Sequence, residues 1–168
     1  MVIFINEELG SMNKIILIVL CVFCVWIILN YIILIIKQMQ TMNMFKKMDL
    51  LLIKKYTFLT KFLSNPDFSN DKNVIEICKY LNELVNLPQG CKFINRKLAL
   101  NYIISNLLEP VFKIKNIPDE YKLIKSELEN YGVIYNNNAS KLKYRVEIFP
   151  TSIIARLLNI KTVDFYRG

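Results

Sequence analysis

From Ile15 to Ile36 the chain reads IILIVLCVFCVWIILNYIILII, with no charged residue and one strongly polar side chain, Asn30. Twenty-two residues at about 1.5 Å rise span roughly 33 Å as a helix, enough to cross a hydrocarbon core of about 30 Å. A helix is also the open segment that satisfies its own backbone groups in lipid. The pattern predicts a short tail over 1–14, a transmembrane helix over 15–36 and one domain over 37–168. A cleaved signal peptide would have a shorter apolar stretch and a small-x-small cleavage site. This run ends instead at Lys37-Gln38-Met39. As a core helix, apolar on every side, it would be too long for so small a domain.

Beyond the run the periodicity becomes one-sided. Phe45, Met48, Leu52, Tyr56, Leu59 and Leu63 recur at three- and four-residue steps, so the membrane helix is expected to continue into a first helix of the domain. Ser64-Asn65-Pro66-Asp67 should end it, because proline cannot continue the hydrogen-bond ladder. A second helix starts near the capping pair Asn70-Asp71, carries Val74, Ile77, Cys78, Leu81, Leu84 and Val85, and closes at Pro88-Gln89-Gly90. A third runs from about Lys92 to Leu108, with Phe93, Leu98, Tyr102, Ile103 and Leu107 as its apolar set. Glu109-Pro110 punctuates it, and a loop is expected up to Ile117.

The fourth helix has the clearest start, Pro118-Asp119-Glu120, with acids in the first turn where the helix dipole favours them. Ile124, Leu128, Tyr131, Tyr135, Leu142, Val146 and Phe149 follow at near-heptad spacing, interrupted at Asn138. Gly132 and Asn136-Asn137-Asn138 lower helix propensity, so packing must hold this stretch or it kinks. After Pro150, the apolar residues Ile153, Ile154, Leu157 and Leu158 predict a short amphipathic helix. No strand-like alternation of useful length appears. The fold class is all-α, an N-terminal transmembrane helix continuing into an antiparallel bundle.

Charge sets the expected orientation. Glu7, Glu8 and Lys14 precede the run; Lys37, Lys46, Lys47, Lys54, Lys55 and Lys61 follow it against Asp49 alone. The positive-inside bias puts the C-terminal domain in the cytoplasm and the N-terminus outside. Met12 offers an alternative start that would weaken this asymmetry without reversing it. The net charge of +8 lies largely beside the membrane, where lysines are drawn to anionic lipid. The lysines are scattered, so no nucleic-acid partner is expected.

Four cysteines and no histidine narrow the chemistry. Cys21 and Cys24 lie inside the span and act as small apolar residues. Cys78 and Cys91 have no histidine to complete a zinc site and are expected to be reduced. No catalytic, cofactor-binding or metal-ligating residue is assigned. A polar pocket joining Asp49 and Glu127 would argue for an enzyme instead.

Two blocks of the sequence resemble the LemA family. Ile134-Tyr135-Asn136, Tyr144-Arg145-Val146-Glu147-Ile148-Phe149-Pro150, Ser152-Ile153-Ile154-Ala155 and Asp164-Phe165-Tyr166 are similar to that family's C-terminal end. Asp49-Leu50-Leu51-Leu52-Ile53-Lys54-Lys55-Tyr56 resembles its first cytoplasmic helix. The likeness covers the anchor, roughly 45–63 and roughly 120–167, whereas 65–118 matches poorly. Thr60 stands where the family often has proline, so a kink expected there should be missing, and Asn159 replaces a glycine. The resemblance implies a bacterial single-pass membrane protein, N-terminus outside, with an up-and-down four-helix cytoplasmic bundle and no defined catalytic activity.

Each candidate position also has a plain structural reading. Asp49 beside Lys54 and Lys55 is expected to be a solvated helix ion pair. Tyr56, Tyr135 and Tyr144 fall at or near core spacing and read as packing residues. Asn136 is either a buried register-fixing residue or a surface one. Phe149-Pro150 reads as a helix end with an aromatic plug. Asn30, polar within the span, suggests an interhelical hydrogen bond and a homo-oligomer. The expected role is a scaffold at the cytoplasmic membrane face, with the bilayer and an unidentified protein as partners. The alternative is a sensor or regulator signalling through the continuous helix.

Overall fold

A computed structural model describes the backbone of residues 2–65, 71–114 and 117–168, and the side chains of 13–65, 71–113 and 117–168. Five α-helices account for most of it, and no strand occurs among the described residues. Helix α1, Val2–Leu63, is continuous for 62 residues. The tail expected over 1–14 is therefore helical from Val2, since nothing stronger than Gly10 interrupts helix formers there. One stretch of α1 is long and apolar enough to cross a membrane, and its most apolar part touches nothing else in the protein.

Lower down, α1 acquires a buried stripe: Thr41, Phe45, Met48, Leu52, Leu59 and Leu63. The four- and three-residue steps keep these on one face. No proline lies at position 60; Thr60 hydrogen-bonds back to the Tyr56 carbonyl, and the helix continues. The expected stop at Pro66-Asp67, and Asn70 of the expected cap, lie outside the described residues.

Helix α2, Lys72–Val85, starts on Asp71, whose carboxylate accepts from the Asn73 N–H at 2.8 Å. After a turn through Gly90 and a 3₁₀ segment at Cys91–Phe93, α3 runs Ile94–Ile114. Glu109-Pro110 does not end it. Proline removes one ladder hydrogen bond, but Val111 is buried and Phe112 packs on the core, which holds the final turn. Helix α4, Asp119–Glu147, passes unbroken through Gly132 and the three asparagines. Helix α5, Thr151–Leu157, follows a cis Phe149–Pro150 bond. It ends at Asn159, in the left-handed region (φ 52°) that asparagine tolerates better than most side chains.

Helix α1 packs chiefly along α4; α2 packs along α3 and α1; α5 returns to α1. The main core joins Phe45, Leu52, Leu59, Ile77, Ile104 and Leu128. Phe58, Phe62, Phe112 and Tyr121 close its far end, with the rings of Phe112 and Tyr121 4.9 Å apart. A second, smaller cluster forms around Leu34 from Leu142, Ala155 and Ile160.

Several expected faces are rotated. In α3 the inward residues are Ile94, Lys97, Leu98, Leu100, Asn101, Ile104, Leu108 and Val111, with Tyr102 exposed and Phe93, Ile103 and Leu107 at the margin. Counting apolar letters missed this face because two of its positions are polar. In α5 the buried residues are Thr151 and Ala155, while Ile153, Leu157 and Leu158 face outward. Tyr144 and Phe149 are also exposed, so neither is the packing residue or plug that spacing suggested. Both lie near the end of α4, where no other helix covers their side.

Candidate functional site

Four of the buried polar residues, Asp49, Lys55, Lys97 and Asn101, lie where α1, α3 and the C-terminal segment meet. Asp49 on α1 is buried, and its carboxylate takes two hydrogen bonds from Lys97 Nζ on α3, at 2.7 and 2.8 Å. The Gly90 N–H donates to its Oδ2 at 2.9 Å, and Lys97 Nζ also reaches the Gly90 carbonyl. Gly90 has φ +93°, so its backbone, not a shortage of space, requires glycine here. The solvated pairing of Asp49 with Lys54 and Lys55 is thus overturned. Steps of five and six residues turn those lysines to other faces of α1, and Asp49 points into the core instead.

Six residues further along α1, Lys55 is buried as well. Its Nζ donates to Asn101 Oδ1 at 2.9 Å and to Ser105 Oγ at 3.0 Å. No carboxylate is paired with it among the described residues. Burial, reinforced by the charge of Lys125 on α4 and opposed by Glu129, pushes its pKa down to about 7. Lys54, by contrast, is exposed. Lys55 borders a cleft of about 550 Å³ lined also by Ser105, Tyr121, Lys125, Glu129 and Gly168.

The C-terminal segment closes one side of this region. Asn136 on α4 donates its amide to the Tyr166 carbonyl at 2.9 Å and accepts the Tyr166 N–H at 2.7 Å. This reciprocal pair gives the segment a strand-like ladder contact with a side chain. Tyr135 donates to the Asp164 carbonyl, and the Asp164 N–H donates to Asn95. Asn101, already holding Lys55, donates to the Arg167 carbonyl at 3.4 Å. Gly132 is the notch for Tyr166: a Cβ there would stand 2.3 Å from the tyrosine ring. Burial pushes the Tyr166 phenol up to about 12. Asn136 matches neither reading outright: it is half-buried, and what its hydrogen bonds hold is the C-terminal segment.

The remaining candidates scatter. Tyr56 is buried and its hydroxyl has no hydrogen-bond partner among the described residues. Asn30 donates its amide to its own helix, at the Trp26 carbonyl, 2.8 Å away. Glu127 borders a shallow groove between α1 and α4 with Lys54 and Lys61, whereas Asp49 lines a different, smaller pocket. Lys97, Asn101 and Ser105 were missed by the sequence reading. Their spacing of four was the available signal, a polar row along an otherwise apolar helix face. No protein-family model, curated protein or solved structure matches this chain.

Proposed function

We propose that this chain is a single-pass protein of a bacterial cell membrane, with its N-terminus outside and a LemA-like antiparallel four-helix bundle in the cytoplasm. It acts as a structural or interaction scaffold at the membrane face and performs no chemistry of its own. The observation that carries the reading is the continuity of α1: one helix supplies both the exposed apolar stretch and a core-forming stripe of the domain. Such a helix fixes the domain against the bilayer instead of tethering it on a linker. The buried polar contacts fit this role, because they hold helices and the C-terminal segment to one another.

Topology mapping with in vivo crosslinking at the outer face of α2 and α4 tests the proposal. A cytoplasmic reporter signal after residue 168 and a discrete protein adduct are expected. A reporter on the outside, or no reproducible adduct together with no phenotype on deleting 65–168, would overturn it. A second reading, a membrane-linked regulator, is favoured by the same unbroken helix. Replacing Gln38 and Gln40 with glycine should soften α1 just below the span. A scaffold keeps its crosslinked partner in that variant; a regulator loses its response.

A further inference from the structure

The last turn of the apolar run does not stand clear of the rest of the protein. Leu34 is fully buried against Leu142 of α4, Ala155 of α5 and Ile160 just after it, with Ile35, Val146 and Ile154 around them. Leu142 of α4 and Ala155 of α5 therefore lie level with Leu34, and the end of α4 at Glu147 reaches about 7.5 Å further along the apolar run, because α4 runs antiparallel to α1. From Leu34 to Lys37, the first charge after the run, the axial rise is about 4.5 Å.

The outer side of that corner is apolar. Phe149 is 74% exposed and Leu157 81%, and Ile148, Ile153 and Leu158 are exposed beside them. Helix α5 buries a threonine and an alanine, turns Ile154 toward the Leu34 cluster and presents Ile153 and Leu157 outward. Basic residues border the patch, Lys143, Arg145, Arg156 and Lys161, with Glu147 near Lys143. Apolar side chains rimmed by Lys and Arg suit the boundary between acyl chains and headgroups, where long basic side chains reach toward phosphates.

We propose that the α4–α5 corner is a second membrane contact, lying in the headgroup–acyl boundary of the leaflet that α1 leaves on its cytoplasmic side. The proposal rests on the reading of α1 as a span. Lipid is the favoured occupant because packing on Leu34 holds the patch beside the last turns of the apolar run, where any bilayer that surrounds residues 15–36 must meet it. The contact gives the protein two fixed points in one membrane, so it sets the tilt of the domain as well as its location.

Depth-dependent fluorescence quenching by acyl-brominated phospholipids tests this in the full chain, reconstituted into mixed phosphatidylcholine and phosphatidylglycerol vesicles. The chain has one tryptophan, Trp26, inside the apolar run. Phe149→Trp and Leu157→Trp are each placed in a Trp26→Phe background, with Ile75→Trp on α2 as the exposed apolar reference. The Phe149→Trp and Leu157→Trp variants should be blue-shifted and lose on the order of half their emission to lipid brominated near the headgroup. The Ile75→Trp variant should lose little. Two positions keep the test valid if one variant misfolds by circular dichroism. Quenching of native Trp26 with both corner variants at the Ile75→Trp level would overturn the corner contact and leave the span standing. Blue-shifted but unquenched corner variants would assign the patch to protein, a second copy included, and also overturn it. An unquenched native Trp26 would remove the span itself and the corner with it.

Discussion

Lys97 and Lys55 are both sealed inside the protein, at 4% and 2% exposure, yet Lys97 meets a carboxylate and Lys55 meets an amide and a hydroxyl. Their partners lie across the same α1–α3 contact. The difference lies in what each helix offers: α1 supplies Asp49 to one ammonium, while α3 supplies only neutral oxygens to the other. A charge taken out of water needs an opposite charge and well-placed hydrogen bonds to be held there. The pair at Asp49 therefore locks α1 to α3 through opposite charges, whereas Lys55 is held by neutral groups on terms that change with pH.

The largest test is to remove the carboxylate. Asp49→Ala leaves Lys97 buried and uncompensated and should cost about 3–5 kcal/mol in denaturant unfolding of the full chain. Adding Lys97→Met should recover much of that loss. If Asp49→Ala alone has little effect, the two lysines are not different in kind.

Gly132→Ala probes the C-terminal segment, which reaches the Lys55 site through Asn101. A methyl 2.3 Å from the Tyr166 ring must displace it, with an expected loss of about 1–3 kcal/mol. Amide exchange should quicken at Tyr166, whose N–H is held by Asn136. Unchanged exchange there would show that the ring can move without releasing the segment.

Lys55 itself gives the next effect, read from the pH dependence. Its ordinary pKa is 10.5 and its folded value about 7, so between these values the unfolded chain binds the extra proton. Stability should then rise with pH from about 7 toward 10. Above about 10 the trend should reverse, because burial raises the phenols of Tyr56, Tyr121, Tyr135 and Tyr166, and the unfolded chain releases those protons first. Lys55→Met should flatten the rising limb and leave the protein at least as stable at neutral pH. A rising limb that survives the substitution would locate the proton elsewhere.

The smallest effect concerns Tyr56, whose hydroxyl lacks a partner among the described residues. Tyr56→Phe removes an unsatisfied buried group and should change stability by less than about 1 kcal/mol, in the favourable direction. A clear loss would mean that the hydroxyl is engaged in solution.

Features carried by local chemistry were legible in the sequence. The Asp71 cap, the acidic start of α4 and the length of the apolar run depend on neighbouring residues, and each was found where expected. The buried ion pair was not legible, because its partners are 48 residues apart and each looks like a surface charge on its own helix. Tyr144 and Phe149 were misplaced for a related reason: periodicity gives a face, but not where along a helix its neighbours end. The rotated face of α3 shows the opposite case, in which polar letters at 97, 101 and 105 concealed an inward row.

The pairing of α1 with α4 has a consequence for synthesis. Leu52, midway along the α1 stripe, is made about 76 residues before Leu128 on the helix that covers it. At translation rates of about 5–20 residues per second, that gap is roughly 4–15 seconds. During it, Phe45, Met48 and Leu52 emerge directly after the apolar run, with their largest partner not yet made. On the proposed reading of α1 as a span, Lys46 and Lys47 among them and Lys54 and Lys55 just beyond are what keep the nascent stripe from following the span into the lipid.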